Sequence, residues 1–384
     1  MMTQSRTLPR KALVVGGAGT TGVLIVEALL ERGYEVTILH RGVHPAPVPE
    51  EVRRIYADPH WREPLDEALE GHFFDLTIAT YGRLRYVAEA LVGRTERLIS
   101  VGGALPVYAG WMNITSKNPW DELRQTPFAL EENHPLSRAD GVDAFGKQVR
   151  DSEDTVLRLH REGRFVATHF RYPIVYGPRH IGAPEWGIQR RIRDRRKRII
   201  VPGGGLTLLS RGFCRNIVHA LMLALDNPEV SGGELYNICD EQLTSTREWI
   251  HKICEICDWE FETVDIPFDF LPRGFRAAPT ALLYRYHRVT SIEKVKAQLG
   301  YRDVYSFDQG MRETVQWYEE NPLPPGGEIE TNVGDPYDYE YEDQVIDHYR
   351  AHQAQFEEEV AELETPPVVW RHPYPHPKKR GDLR

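Results

Sequence analysis

The 384-residue chain carries 47 Lys and Arg against 57 Asp and Glu, a formal net charge of −10. That balance argues against a general nucleic-acid or membrane-surface binder. No apolar run approaches the ~20 residues a membrane helix needs, and MMTQSRTLPRK lacks an apolar signal core, so a cytoplasmic protein is expected.

The first predicted elements lie in KALVVGGAGTTGVLIVEALLERGYEVTILHR, residues 11–41. The run Lys11–Val15 reads as a strand, Val23–Leu30 has apolar residues at helical spacing, Gly33 stops that helix, and Tyr34–Leu39 reads as a second strand. Between strand and helix, Gly16, Gly19 and Gly22 stand three apart. Gly16 permits the tight turn, Gly19 lets backbone approach a pyrophosphate, and Gly22 lets the helix pack close to the sheet. The phosphates would lie on the amides at the helix start, around Thr20 and Thr21, where the helix dipole is positive. A purely structural glycine turn is the alternative. The G-x-x-G-x-x-G spacing resembles the extended and atypical short-chain dehydrogenase/reductase superfamily, which includes nucleotide-sugar epimerases and dehydratases.

The second strand ends in Leu39-His40-Arg41-Gly42, with no acid to bond an adenine ribose 2′-hydroxyl. Arg41 suits a 2′-phosphate, because guanidinium is always charged and matches phosphate in a bidentate fork, so NADP(H) is favoured over NAD(H). The strand 52–57 is followed by Asp58, which the resemblance places on the adenine amino group. A helix over Leu65–Leu69, a strand over 74–80 and a strand over 97–101 continue the β-α alternation. This pattern predicts a Rossmann-type doubly wound parallel sheet with helices on both faces. Thr80 and Tyr81 would then lie beside the cofactor.

After the fifth strand comes Gly102-Gly103-Ala104, where the resemblance expects a serine or threonine; Ser100 is too early, inside the strand. Tyr108 follows, and then a long segment, 109–140, with the length of an active-site cover. Its end, Leu130–Leu136, resembles the acidic turn before the superfamily's catalytic helix. That helix carries Tyr-x-x-x-Lys, spaced to put both side chains on one face. The resemblance implies that the lysine bonds the nicotinamide ribose and lowers the tyrosine pKa for proton exchange. Lys147 fits, with Asp151 as a supporting acid, but Asp143 holds the tyrosine position. Three explanations stay open. Asp143 is a base in a reaction that starts by removing a proton; Tyr81 or Tyr108 supplies the acid; or the cofactor is bound without redox chemistry.

The run Arg171-Tyr-Pro-Ile-Val-Tyr-Gly-Pro-Arg179 closely resembles the superfamily's sixth strand and its continuation. It implies that the backbone around Tyr172, Pro173, Ile174 and Val175 bonds the nicotinamide carboxamide. The basic run 187–198 reads as a solvated helix face, a clamp on an anionic substrate, or an RNA patch, and the acidic total disfavours the last. Arg211 matches an arginine that nucleotide-sugar relatives place on the diphosphate, although Arg215-Asn216 replaces the acidic pair usual after it. Residues 233–239 read as a strand, Thr244–Trp259 as a helix capped near Glu248, 260–266 as a strand, and 291–299 and 307–319 as closing helices. Cys254 and Cys257 form a lone C-x-x-C without a second pair, so core thiols are expected and no metal.

The expected organisation is a dinucleotide-binding domain over 10–178 that regains 208–243, and a smaller α/β substrate lobe from 179–207 and 244–322. An extension over 323–384 is acidic with one helix from Glu342 to Leu363, then proline-rich. It could wrap its own domain, cover the site or bind a second subunit. The expected function is an NADP(H)-dependent oxidoreductase acting on a carbonyl or hydroxyl carbon of a small molecule, as a possible homodimer. The alternatives are an epimerase or dehydratase with transient hydride transfer, and a non-catalytic dinucleotide sensor or RNA-associated protein.

Overall fold

Strand β1 (Lys11–Val15) is buried along four of its five residues, as an unbroken apolar run demands of a strand covered on both faces. The computed structural model describes residues 9–43, 46–80, 84–109, 129–136, 144–272, 275 and 284–364, in two compact units, Met1–Tyr337 and Asp338–Arg384. In the first unit β1 joins β2 (Glu35–His40), β3 (Arg53–Tyr56), β4 (Leu76–Ala79), β5 (Arg97–Gly103), β6 (Val166–Tyr172) and a later strand β11 (Leu235–Asn237). These seven strands are parallel, in the order β11-β6-β5-β4-β1-β2-β3.

Helices cover both faces. Ile25, Val26 and Leu29 of helix Thr20–Glu31 pack with Ile217 and Leu221 of helix Cys214–Asp226 and Val295 of helix Glu293–Leu299. On the other face Leu65, Val87, Val156 and Leu159 bring in helices Arg62–Ala68, Arg85–Ala90 and Ala144–Arg161. The strand order reverses between β1 and β4, so the chain leaves these neighbours in opposite directions and opens a crevice at their carboxyl ends. The doubly wound α/β architecture is therefore as the alternation implied. Differences lie at element ends: β5 continues through Gly102 and Gly103, and the helix carrying Lys147 runs on to Arg161.

Three two-stranded pairs lie outside the main sheet. They are β7 (Ile174–Tyr176) with β10 (Arg211–Phe213), β8 (Arg198–Pro202) with β13 (Glu262–Ile266), and β9 (Leu208–Leu209) with β12 (Thr244–Ser245). Helix Thr246–Ile256 opens on a reciprocal capping box, with Glu248 N donating to Ser245 Oγ at 3.1 Å and Ser245 N to Glu248 Oε2 at 2.7 Å.

Two arginines of the basic run leave the solvated face. On its helix, Pro184–Arg193, Arg190 and Arg191 are met by the segment after residue 323, while Arg193, Arg195 and Lys197 are exposed. Arg190 Nη1 reaches Glu330 at 2.5 Å, Trp186 Nε1 donates to the same carboxylate at 2.9 Å, and Arg191 pairs with Asp335, both side chains fully buried. Trp186, Tyr318, Leu323 and Val333 form the apolar cluster alongside. Periodicity alone cannot show that a distant acid neutralises a helical arginine. Removing one partner of a buried pair strands the other charge, so Asp335→Asn should cost about 3–5 kcal/mol in urea unfolding. A loss below about 1 kcal/mol would place this pair among weak surface bridges.

Candidate active site

The glycine loop forms a cradle with a steric reason for two of its three glycines. Gly16 has φ +90°, a left-handed conformation that favours glycine, and a Cβ there would meet Thr80 Oγ1 at 2.6 Å. A Cβ on Gly22 would stand 2.1 Å from the Gly16 carbonyl oxygen, so the helix meets the turn backbone to backbone. Gly19 has φ −85°, and a Cβ there would meet nothing nearer than 3.7 Å. The helix starting at Thr20 has no side-chain cap and no acid in its first turn. Its positive end is thus left for an anion. Thr80 closes the loop from β4: its N–H donates to the Val15 carbonyl at 2.9 Å and its hydroxyl to the same oxygen at 3.3 Å.

The other cofactor candidates fall around this cradle. The Thr20 hydroxyl donates to the Arg179 carbonyl at 3.1 Å, which ties the loop to the turn after β7. Tyr172 ends β6 with its phenol beside Thr21, and burial raises its pKa. Pro173, between β6 and β7, and Val175, within β7, are half-buried. Arg41 is exposed just past β2. Asp58 sits near it: burial pushes this carboxyl up, but hydrogen bonds from the His60 N–H and ring, with the Arg41 charge, hold it below the usual range. The uncapped amides and the Gly16–Gly22 approach fit a pyrophosphate-bearing dinucleotide. Such a group would be held by these residues and would supply a hydride carrier.

Lys147 lies in the first turn of the Ala144–Arg161 helix. That helix runs antiparallel to the strands, so its start lies at their carboxyl end, as the glycine loop does. Its ammonium is 3.6 Å from Asp151 and its side chain is well exposed. Asp143 and Tyr81 lie outside the described residues. Tyr108 is fully buried; its hydroxyl donates to Asn237 Oδ1 at 2.6 Å, and burial raises its pKa. That placement engages the Tyr108 hydroxyl with the protein. Ser100 is likewise buried, 2.8 Å from His169 Nδ1.

A buried network missed in the sequence anchors the Lys147 helix. Glu153, on that helix, takes two hydrogen bonds from Arg171 of β6, at 2.8 and 2.6 Å. Burial pushes the Glu153 carboxyl up, but Arg171 and His169 bring it below the usual range. Burial holds His169 down at about 4, hence neutral. Arg171 also donates to the Glu132 carbonyl at 3.1 Å and lies 4.7 Å from the Tyr108 ring centroid. Asn237 completes the circuit: its N–H donates to Glu132 Oε1 at 2.8 Å and its Nδ2 to the Leu130 carbonyl at 3.0 Å. The only sequence signal was Arg171 itself, at the head of the run ending in Tyr-Gly-Pro-Arg.

Arg211 is placed differently from a substrate clamp. It is 5% exposed, donates to the Thr244 carbonyl at 3.2 Å and to Thr246 Oγ1 at 3.4 Å, and lies 5.1 Å from the Trp249 ring centroid. Burial lowers its pKa to about 10, against the opposing charge of Glu185. Glu185 is fully buried, and burial raises its pKa to about 8 although Arg211 opposes this. Cys254 and Cys257 are free thiols pushed up to about 12 by burial, and among the described residues no cluster of three or more His, Cys, Asp or Glu could hold a metal ion.

No family model matches the chain. It is 22% identical over 332 residues to the UDP-N-acetyl-alpha-D-glucosaminuronate decarboxylase of Bacillus cytotoxicus, covering 82% of this chain and 99% of that protein. It is 24% identical to the human decarboxylating sterol-4-alpha-carboxylate 3-dehydrogenase, covering 80% and 88%. UDP-glucose 4-epimerase from Thermotoga maritima superposes with a TM-score of 0.63 at 18% identity, covering 82% of this chain and all of that one. The Thermus thermophilus enzyme, solved with NAD, gives 0.61 at 20%, covering 80% and 99%. The chain is thus similar in sequence, at 22–24% identity, to a UDP-sugar decarboxylase and a sterol-carboxylate dehydrogenase, and in structure to the UDP-glucose 4-epimerases. Its fold is theirs, and no helix among the described residues is long and apolar enough to cross a membrane.

Two predictions follow from this geometry. Gly19→Ala should keep unfolding stability within about 1 kcal/mol, since no protein atom crowds the new methyl, yet lose NADPH binding by fluorescence titration. Gly22→Ala should lose both. A Gly19→Ala protein that binds NADPH like the parent would contradict the cradle. For Glu185, the folded pKa lies above the unfolded one, so the native state holds the extra proton between pH 4.5 and 8 and stability falls as pH rises through that window. Glu185→Gln should remove a slope of about 1.4 kcal/mol per pH unit, so the variant gains on the parent from pH 5 to pH 8. A pH-independent difference would show that Glu185 is ionised throughout.

Proposed function

We propose that the chain is an NADP(H)-dependent oxidoreductase acting on a carbonyl or hydroxyl carbon of a small molecule. The observation that carries the proposal is the uncapped, acid-free helix start behind Gly16 and Gly19, with Lys147 at the same edge of the sheet. The 10–178 segment with its 208–243 return would hold the dinucleotide, and the substrate would meet it from the lobe formed by 179–207 and 244–322. Arg41 would take the 2′-phosphate and Asp58 the adenine amino group. Lys147, with Asp151, would bond the nicotinamide ribose, while backbone around Tyr172, Pro173 and Val175 would orient the carboxamide. Proton transfer would fall to Asp143, Tyr81 or Tyr108. The buried Arg211, already bonded to Thr244 and Thr246, weakens the case for a diphosphate substrate.

A second reading, hydride transfer without net redox change, is supported by the relatives, whose names include a decarboxylase and epimerases. Support for a binding protein without catalysis is thinner. It rests on a 20% identical relative over 81% of this chain, named the chloroplast stem-loop binding protein of 41 kDa b of Arabidopsis thaliana.

Calorimetric titration with NADPH and NADH, then with Arg41→Ala, tests the cofactor reading. Losing a charge-assisted contact of about 1.5–3 kcal/mol should weaken NADPH by roughly tenfold to a hundredfold and leave NADH unchanged. Tighter NADH binding by the parent would sink the preference. Loss of nicotinamide absorbance with a panel of ketones, aldehydes and nucleotide sugars marks net redox chemistry. Substrate conversion at constant absorbance marks the second reading, and neither marks a binding protein.

A further inference from the structure

The turn between β7 and the helix Pro184–Arg193 carries backbone strain that its sequence does not relieve. Arg179 has φ 63° and Ala183 φ 29°, left-handed values adopted without glycine. Residues with a Cβ keep such values only where surrounding contacts impose them. Here three consecutive carbonyls are held, each by a different element. The Thr20 hydroxyl donates to the Arg179 carbonyl at 3.1 Å, the Tyr318 hydroxyl to that of His180 at 3.2 Å, and Asn332 Nδ2 to that of Ile181 at 3.2 Å. The His180 ring accepts the Gly182 and Ala183 N–H groups at 3.2 and 3.0 Å, which sets the end of the turn.

These three contacts join parts of the chain that lie far apart in sequence. Thr20 starts the cradle helix, Tyr318 belongs to the helix Phe307–Glu320, and Asn332 ends the helix Glu328–Asn332 of the extension. That short helix also supplies Glu330, which Arg190 and Trp186 engage beyond the turn. Leu323 and Val333 of the extension pack with Tyr318. The extension therefore holds both the strained turn and the helix that follows it. The turn, for its part, reaches the cradle through one hydroxyl, and a hydroxyl has one proton to donate. The Thr20 proton can go to the Arg179 carbonyl or to an anion at the helix start, but not to both.

We propose that the segment 323–337 restrains dinucleotide binding, by holding the Arg179 carbonyl on the Thr20 hydroxyl that the phosphates would otherwise engage. The proposal rests on the cofactor reading and adds a regulation of that site. Because coupling is reciprocal, a weaker hold on the turn must mean tighter binding at the cradle. Calorimetric titration of the full-length protein with NADPH tests this. Asn332→Ala, at an exposed side chain, and Tyr318→Phe, which keeps the buried ring, each remove one contact to the turn. Each should tighten NADPH by roughly threefold to tenfold. Thr20→Val removes the contested proton, and in that background both substitutions should leave the affinity unchanged. A purely structural role for the turn predicts the opposite sign, since loosening it would then weaken the site. Equal or weaker NADPH binding by Asn332→Ala and Tyr318→Phe would overturn the proposal and leave the cofactor reading standing. A tightening that persists beside Thr20→Val would do the same. A parent protein that binds no NADPH would overturn both.

Discussion

The closest constraint in the molecule is the approach of Gly22 to the Gly16 carbonyl. No side chain fits between the helix Thr20–Glu31 and the turn that precedes it. Because the helix sits this near, its first-turn amides point over the end of β1, and Thr80 can close the loop from β4. The same contact seats Ile25, Val26 and Leu29 in the core beneath the sheet. Loop geometry, helix packing and the crevice at the strand reversal are therefore one constraint, met by Gly16, Gly22 and Thr80.

A second centre lies across the sheet at Arg171. Its guanidinium holds Glu153, the Glu132 carbonyl and the face of Tyr108, and so joins β6, the Lys147 helix, the turn after β5 and the segment 129–136. That segment reaches further, since Leu130 exchanges backbone hydrogen bonds with Val289 and Ser291. Burying such a network is costly unless every charge is met. Here Glu153 is met by two bonds from one guanidinium, and His169 avoids the cost by staying neutral. Glu185 follows the opposite course, retaining its proton near neutrality beside Arg211.

The fold was legible because its signals are local. Apolar runs between glycines gave the strands, and the three glycines after β1 gave the turn. The ends of β5 and of the Lys147 helix were missed, because glycine in a strand and polar residues on an exposed helix face weaken the periodic signal. Side-chain destinations were less legible. Tyr108 read as one alternative for the proton donor, and its hydroxyl donates to Asn237, a partner remote in sequence. Arg191 lay in a run read as a solvated face, an anion clamp or an RNA patch, and is buried against Asp335. Arg211 read through the family resemblance as a diphosphate contact, and its hydrogen bonds go to the protein. In each case the decisive partner lies far along the chain, where spacing carries no information.

Amide hydrogen exchange with and without NADPH tests the central claim most directly. A dinucleotide held as described should slow exchange at the Gly19–Val23 amides, which start the helix, and in the first turns of the Ala144–Arg161 helix. Unchanged exchange at Gly19–Val23 under saturating NADPH, with protection appearing elsewhere, would contradict the account.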